Sequence, residues 1–276
     1  MEGFRKSIRW VIVTVGVIIL TSVTVDATIA PNGFSQSALG ILASRTVPQS
    51  TCPDGMVLLS GAQKKLCVDA YEDSPTSQCA VPVVTNALDS RSNIDDAKCL
   101  PQSVGETTPW VFVSFHQASE LCAKAGKRLP TSEEWYTFAL GTPDTDVCNT
   151  NTGVLSVVHA NSACKNAYGI HDAIGNAWEW VDGVVRDGLY NGHTVPDSGY
   201  VTAADEHGIA TETHTANSDP NFHDDYFWSD KSGEYGILRG GFYGSGKDGG
   251  LYGVQAKTAL SFSSGAIGFR CVKDIQ

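Results

Sequence analysis

Short apolar segments alternate with turn-forming residues in the first part of the chain beyond residue 51. Three such segments cover residues 56–59, 66–70 and 110–113. Short apolar runs between turn signals are typical of β-strands, because a half-buried pleated backbone is filled by side chains of this kind. We therefore predict three strands at these positions.

Two segments with helical spacing follow, and each carries its own start and stop signals. A capping box pairs a Ser or Thr N-cap with Gln or Glu in the first turn, and a glycine commonly follows the last turn. The predicted caps and stops are, in chain order, Ser114, Gln117, Gly126, Thr131, Glu134 and Gly141. Apolar residues recur on one face of both segments, so we predict two amphipathic helices.

Beyond Gly141 the chain is rich in Gly, Asn, Asp, Ser and aromatic residues and poor in helix formers. This pattern predicts loops held by short strands. Residues 186–236 form a long polar insertion that contains His193, His207 and His214. Loops of this length inside a compact domain commonly carry function or move. We therefore predict that the insertion contributes to a functional face.

The overall charge restricts the class of partner. The 276 residues include 30 acidic and 19 basic side chains, which gives a formal net charge of -11. Binding to a phosphate backbone requires a basic surface that releases counterions. We therefore expect no nucleic acid partner.

The N-terminus has the pattern of an export signal. Basic residues precede an uncharged apolar run over residues 10–25, and small residues around Ala27 offer a cleavage site. The run is shorter than the roughly 20 residues of a membrane-spanning helix, which favours cleavage over a retained anchor. We predict a signal peptide or membrane anchor over 1–27, a linker over 28–51, and a domain over 52–276. The domain is then secreted, or anchored outside the cytoplasm by its N-terminal segment alone.

All eight cysteines lie in the predicted domain, where an oxidising compartment favours four disulfides. Spacing alone does not select one connectivity. Pairing near neighbours joins Cys52 with Cys67, Cys79 with Cys99 and Cys148 with Cys164, which leaves Cys122 for Cys271. The rival interpretation, a metal cluster, lacks the C-x-x-C spacing that such sites use.

Four strings in a fixed order carry a family resemblance. They are GKRLPTSEEW at 126–135, GNAWEW at 175–180, RGG at 239–241 and GFRC at 268–271. In this order and spacing, residues 52–275 resemble the sulfatase-modifying-factor family, whose best known member is the formylglycine-generating enzyme. The resemblance implies an α+β fold, a variant of the C-type lectin fold with two helices, small antiparallel sheets and much irregular structure. It also implies that a disulfide between Cys122 and Cys271 closes the fold.

The resemblance does not extend to the family enzyme's chemistry. That enzyme oxidises a substrate cysteine with copper, which it binds through two cysteines that follow the RGG string. Those positions fall on Ser245 and Gly250 here, and neither offers the thiolate that Cu(I) prefers. We therefore expect neither copper nor formylglycine-generating activity. The alternative function is a formylglycine-generating-type oxidase with relocated ligands, or another metal-dependent oxidoreductase on the same fold.

The GNAWEW string resembles a calcium site of the family. Calcium accepts an all-oxygen ligand set. The predicted ligands are the carbonyls of Ile174, Gly175 and Ala177, the Glu179 carboxylate and the supporting amide of Asn176. In the alternative, purely structural interpretation, Glu179 pairs with a core arginine such as Arg239 or Arg270.

The preferred functional interpretation is a binding module that displays an irregular face built from residues 186–236 and 242–264. Aromatic side chains supply contact area at a low cost in conformational entropy. The predicted ligand-binding residues are Trp228, Phe242, Tyr243, Ser245, Lys247, Asp248 and Tyr252. The ligand is an unknown protein or glycan. Residues 249–270 also resemble the C-terminal region of variable proteins from diversity-generating retroelements. A structural component of the cell envelope is a third interpretation.

Overall fold

The computed structural model describes residues 52–59 and 65–275. The predicted signal or anchor over 1–27 and the linker over 28–51 lie outside the described residues. The strands and helices are, in chain order, β1 Met56–Leu59, β2 Leu66–Asp69, β3 Ser74–Pro75, α1 Ala87–Asp95, β4 Pro101–Gln102, α2 Phe115–Lys124, α3 Ser132–Ala139, β5 Trp178–Arg186, β6 Leu189–Tyr190, β7 His193–Thr194, β8 Gly199–Ala204, β9 Ala210–His214, β10 Tyr226–Ser229, β11 Glu234–Arg239, β12 Val254–Thr258, β13 Ile267–Gly268 and β14 Val272–Asp274. Short 3-10 turns cover Pro220–Phe222 and Gly246–Asp248.

The strands form three sheets within the described residues. A three-stranded antiparallel sheet has the order β1-β2-β14, so the last strand pairs with one of the first. β3 pairs with β4, and the remaining nine strands form one mixed sheet with the order β7-β6-β5-β11-β12-β10-β8-β9, to which β13 adds beside β5. The predicted α+β fold is confirmed, although the main sheet is larger than predicted. Among the described helices, none has the length and apolar character needed to cross a bilayer.

Both predicted helices form, and their caps are those predicted. The Gln117 N–H donates to Ser114 Oγ, and the Ser114 N–H donates back to the Gln117 side chain. Thr131 and Glu134 make the same reciprocal pair at the start of α3. The glycines that follow α2 and α3 have φ values of 67° and 81°, in the left-handed region that glycine tolerates best. Local sequence therefore determines where these helices begin and end.

One predicted strand and one helix differ from the sequence expectation. Residues 110–113 form an extended but irregular segment, because Phe112 has a φ of 60° that interrupts a strand. Its backbone bonds go to loops: the Trp110 N–H donates to Asp73 O at 2.7 Å, and the Phe112 N–H donates to Ser264 O at 2.9 Å. Helix α1 was not predicted. Asn86 caps it, but Ile94 is the one apolar residue among its three buried positions.

Short strands hold the loops of the insertion over 186–236. It contributes strands β6 to β10 and the start of β11. Strands β6 and β7 extend the main sheet beyond β5, and β10, β8 and β9 extend it beyond β12. Alternation along β8 and β10 buries Val201 and Phe227, whereas their neighbours Tyr200 and Tyr226 are half-buried. The prediction of loops held by short strands is confirmed here, although the individual strands were not located because their short apolar alternation lies among polar residues.

All eight cysteines form disulfides, in the pairing predicted. Cys122 on α2 joins Cys271, which immediately precedes β14, across a sequence separation of 149 residues. Both belong to one of two buried hydrophobic clusters, together with Trp110 and Phe269. This disulfide therefore connects the helical part of the domain to its C-terminal strand from inside the core.

Candidate functional site

The family strings meet at a buried ion pair. Glu179 lies on β5 and Arg270 follows β13, and each side chain is at most 1% exposed. Arg270 Nε lies 2.8 and 2.9 Å from the two Glu179 oxygens, and Arg270 Nη2 lies 2.6 Å from Oε1. The indole N–H of Trp135 donates to Glu179 Oε2 at 2.8 Å. Both oxygens of the predicted calcium ligand therefore accept hydrogen bonds from protein donors, which favours the ion-pair interpretation.

Protein contacts also hold the rest of the GNAWEW segment. Glu72 accepts from the Ala177 N–H at 3.0 Å and from the Asn176 amide at 2.5 Å. The Asn176 carbonyl accepts from the Tyr243 N–H at 3.1 Å. Burial raises the pKa of Glu72 well above its usual value, and the nearby carboxylate of Glu179 raises it further. The calcium site at 174–179 stays a prediction, and an ion there would have to draw Glu179 away from Arg270.

The two positions that the resemblance assigns to copper hold no sulfur. Ser245 Oγ accepts from the Phe242 N–H at 2.9 Å and so closes a tight turn. Gly250 is buried, and the carboxylates of Asp144 and Asp225 lie where its side chain would be. Since all eight cysteines of the chain are in disulfides, no thiolate is available near these positions.

Arg239, the first residue of the RGG string, is fully buried. Its guanidinium lies 4.9 Å from the ring centre of Trp135 and 5.9 Å from that of Tyr136. It donates to the carbonyls of Gly208 and Leu251 at 3.0 and 3.2 Å. Burial lowers the pKa of Arg239 to about 10. Arg239 therefore connects loops of the core and does not face a substrate groove.

A row of aromatic rings crosses one side of the main sheet. Tyr200 on β8 contacts Tyr226 on β10 at a ring-centre distance of 5.1 Å, and Tyr226 contacts Trp228 at 4.8 Å. These three side chains are half-buried, and Trp228 rests on the buried Trp178 at 5.7 Å. The Lys247 ammonium lies 5.6 Å from the Tyr200 ring centre. We call Tyr200, Tyr226, Trp228 and Lys247 the aromatic face.

The structure separates the residues predicted to bind ligand. Trp228 and Lys247 belong to the aromatic face, whereas Tyr252 packs against Phe222 and bonds Tyr136 Oη at 3.3 Å. The remaining predicted residues, Phe242, Tyr243, Ser245 and Asp248, belong to the segment around the 3-10 turn at Gly246–Asp248.

The sequence analysis assigned Trp228 and Lys247 of the aromatic face to ligand binding but did not identify Tyr200. The signal was present, because Tyr200 and Tyr226 alternate with buried residues on strands that prove to be neighbours. Without the pairing of β8 with β10, nothing in the sequence places these two tyrosines together.

A separate acidic cleft of about 630 Å³ lies between α3 and the insertion. Its charged and aromatic lining residues are Glu133, Tyr190, His193, Asp205, Glu206 and His207. Tyr190 Oη donates to Glu133 at 3.1 Å, and burial together with that carboxylate raises the tyrosine's pKa. Two of the three histidines noted in the insertion, His193 and His207, therefore line this cleft, and its excess of acidic side chains favours cationic ligands over anionic ones.

The family model described as Sulfatase-modifying factor enzyme 1-like domain matches residues 67–275. Among curated proteins, the chain is similar to the inactive C-alpha-formylglycine-generating enzyme 2 of Bos taurus and of Mus musculus. Each is 33% identical over a match that covers 26% of this chain and 32% or 31% of the relative. The match therefore spans about a third of the length of these curated relatives.

Solved structures with a similar backbone fold have little sequence identity to this chain. The U1 variant of Major Tropism Determinant has a TM-score of 0.46 and 18% identity, and the match covers 82% of this chain and 54% of that one. Treponema denticola variable protein 1 gives a TM-score of 0.41 and 16% identity, with 81% of this chain and all of that chain covered. PvdO from Pseudomonas aeruginosa gives 0.41 and 15%, with 76% and 81% covered.

Proposed function

The chain belongs to the sulfatase-modifying-factor family, and from this premise we propose that it is a ligand-binding module that acts outside the cytoplasm. The family fold is present, but its copper-binding sulfur atoms are replaced by Ser245 and Gly250. The same scaffold then presents loops and strands for recognition. Function lies in the site and not in the fold, so the loss of the two thiolates removes the family's oxidase chemistry while leaving the scaffold.

The aromatic face is the observation that carries this proposal. Half-buried rings of Tyr200, Tyr226 and Trp228 form a continuous apolar strip on rigid strands, with the Lys247 charge at one end. Large aromatic side chains dominate recognition surfaces because each buries much area and freezes few torsions. Because the strip rests on the buried Trp178, it keeps its shape before a ligand arrives.

Four disulfides support a location outside the cytoplasm, since reducing conditions in the cytosol do not preserve them. We propose that residues 1–27 direct export as a cleaved signal or a retained anchor, and that 28–51 connect them to the domain. The ligand is a protein or a glycan, because flat aromatic rings suit either and the net charge of -11 disfavours nucleic acid.

The test is binding of the full exported chain to arrays of glycans and of cell-surface proteins. We expect a ligand whose affinity falls at least about tenfold for both Tyr226→Ala and Trp228→Ala, the size typical of an interface anchor. Tyr168→Ala is the matched control, since Tyr168 is 45% exposed and lies outside the face. A ligand that binds both variants as tightly as the unaltered chain would refute the assignment of the face.

The resemblance to variable proteins from diversity-generating retroelements extends this proposal to a face whose sequence is diversified. The genome around the gene provides the test. We expect a neighbouring reverse transcriptase gene and a template repeat that matches the coding sequence of residues 242–270. Absence of both would leave a binding module with a fixed face.

A further inference from the structure

Two acidic side chains converge on one buried point. A Cβ atom placed on Gly250 would lie 2.2 Å from Asp144 Oδ2, 2.5 Å from Asp144 Oδ1 and 2.4 Å from Asp225 Oδ1. Three carboxylate oxygens from two aspartates therefore surround the same small volume. Asp144 follows α3 and Asp225 immediately precedes β10, so the fold, and not local sequence, brings them together.

One of these oxygens has no partner. Asp225 is 0% exposed, and its Oδ1 atom receives no hydrogen bond. Its other oxygen accepts from the Tyr252 N–H at 2.6 Å, and Asp144 Oδ2 accepts from the Leu251 N–H at 2.9 Å. A buried polar atom without a partner costs free energy, so an orphaned carboxylate oxygen aimed into an acidic pocket indicates a missing ligand.

The charges around the pair do not balance without that ligand. Within residues 52–59 and 65–275, neither aspartate forms an ion pair with a basic side chain. Arg239 acts on Asp225 and His223 acts on Asp144 only at longer range. Two carboxylates this close repel each other unless a cation or a shared proton lies between them.

We propose that Asp144 and Asp225 bind a hard divalent cation, calcium in the first place, between their facing carboxylates, next to the Cα atom of Gly250. Carboxylate and carbonyl oxygens are the ligands that calcium takes, and it accepts a bidentate aspartate. Zinc and copper sites in proteins usually include nitrogen or sulfur donors, which these three oxygens do not supply. The residues are distinct from the 174–179 segment.

Gly250 is the residue that makes room. Any other side chain would place its Cβ inside the contact radius of both carboxylates. A cleft of about 330 Å³ borders Asp144, with Asp146, Thr150 and His223 among its lining residues, and gives solvent access to Asp144 from one side. A cation there would join the loop after α3 to the 249–253 loop and to the start of β10.

The direct test is isothermal titration of the full chain with CaCl₂ after treatment with a chelator. We expect binding that Asp144→Asn weakens at least about tenfold, because one of the two anionic groups is lost. Gly250→Ala should weaken binding as well without changing any charge. Asp197→Asn is the charge-matched control, because its side chain is 86% exposed on another part of the surface, and it should bind as the unaltered chain does.

A stability readout separates the cation from a shared proton. Calcium at about a hundred times its dissociation constant should raise the melting temperature of the unaltered chain by roughly 5 °C or more, and that of Asp144→Asn far less. In chelator, Asp144→Asn should melt higher than the unaltered chain, because the repulsion is relieved. No calcium binding, or binding that both Asp144→Asn and Gly250→Ala leave unchanged, would overturn the proposal. The cleft at this site is lined by Lys247 but not by the rings of Tyr200, Tyr226 or Trp228, so ligand binding to those rings can fail without affecting the result.

Discussion

The Glu179 carboxylate and the Arg270 guanidinium form a buried, two-oxygen ion pair that joins β5 to the segment before β14. Arg270 also donates to the carbonyls of Asp69 and His171, at 3.2 and 2.8 Å. One side chain thus connects β2, β5 and the loop that precedes the GNAWEW string. The pair therefore gives the GNAWEW and GFRC strings a structural role in this fold.

Arg270→Met should destabilise the domain by about 3–5 kcal/mol, because it leaves the Glu179 charge buried without a counter-charge. Urea unfolding followed by tryptophan fluorescence measures the change. Arg128→Met is the control: Arg128 pairs with Glu134 and Asp274, but its side chain is 32% exposed, so the loss should be about 1 kcal/mol or less. Equal losses in the two variants would contradict the account.

The Cys122 to Cys271 disulfide should contribute more stability than any local one. Chain-entropy arguments give about 5 kcal/mol for its long loop, against about 3 kcal/mol for Cys52 with Cys67, whose sequence separation is 15. Replacing each pair by alanines and comparing urea midpoints tests the order. A larger loss from the Cys52 pair would refute the view that this bridge closes the fold.

Because of His171, the free energy of unfolding should fall in mild acid. Its ring is buried against Tyr71 and His159, and burial, with His159, Lys165 and Arg270 nearby, lowers its pKa to about 4 from 6.5. Between these values the unfolded chain binds a proton that the folded chain does not, so stability falls as pH falls.

His171→Gln removes that dependence. From pH 7 to pH 4, the free energy of unfolding of the variant should gain about 2–3 kcal/mol relative to the unaltered chain. Urea titrations at several pH values measure the difference. If the free energies of unfolding of the two proteins change with pH in the same way, the pKa of His171 is not lowered in the folded protein.

Alanine substitutions at Gly175 and Gly141 distinguish the free-energy cost of a steric clash from the cost of backbone strain. Both glycines have positive φ values, 78° and 81°, which cost an alanine about 1–2 kcal/mol. A Cβ on Gly175 would lie 2.6 Å from Asn149 O, whereas nothing lies within 4 Å of one on Gly141. We expect Gly175→Ala to lose about 3–5 kcal/mol and Gly141→Ala about 1–2, by chemical denaturation. Similar losses would mean that the Gly175 turn can relax.

The sequence predicted the parts of the fold that depend on neighbours along the chain. Helices α2 and α3 carry their own capping boxes, and three of the four disulfides join nearby cysteines. Helix α1 escaped prediction because it buries Ser90 and Asn93 beside a single apolar residue, so its period is masked. Residues 110–113 look like a strand in composition, but the conformation of Phe112 is set by tertiary contacts.

The candidate sites depend on long-range pairing and were less predictable. The aromatic face exists because β10 pairs with β8, and the aspartate pair joins positions that no local pattern relates. Glu179 was assigned to calcium from the resemblance, with an arginine partner as the alternative. The ion pair with Arg270 is seen only from the position of Arg270 relative to β5, and the calcium site stays a prediction. Sequence thus identified the scaffold and some of the contributing residues, such as Trp228 and Lys247, but not which residues face one another.

This domain belongs to the sulfatase-modifying-factor family, and we propose that it has lost the copper chemistry of the family enzyme. The most direct measurement is formation of formylglycine in a cysteine-containing sulfatase peptide, incubated with copper, oxygen and the purified exported chain. The account predicts no product above the sample without protein, because Ser245 and Gly250 offer no thiolate and all eight cysteines are paired. Turnover that depends on both copper and the chain would contradict it.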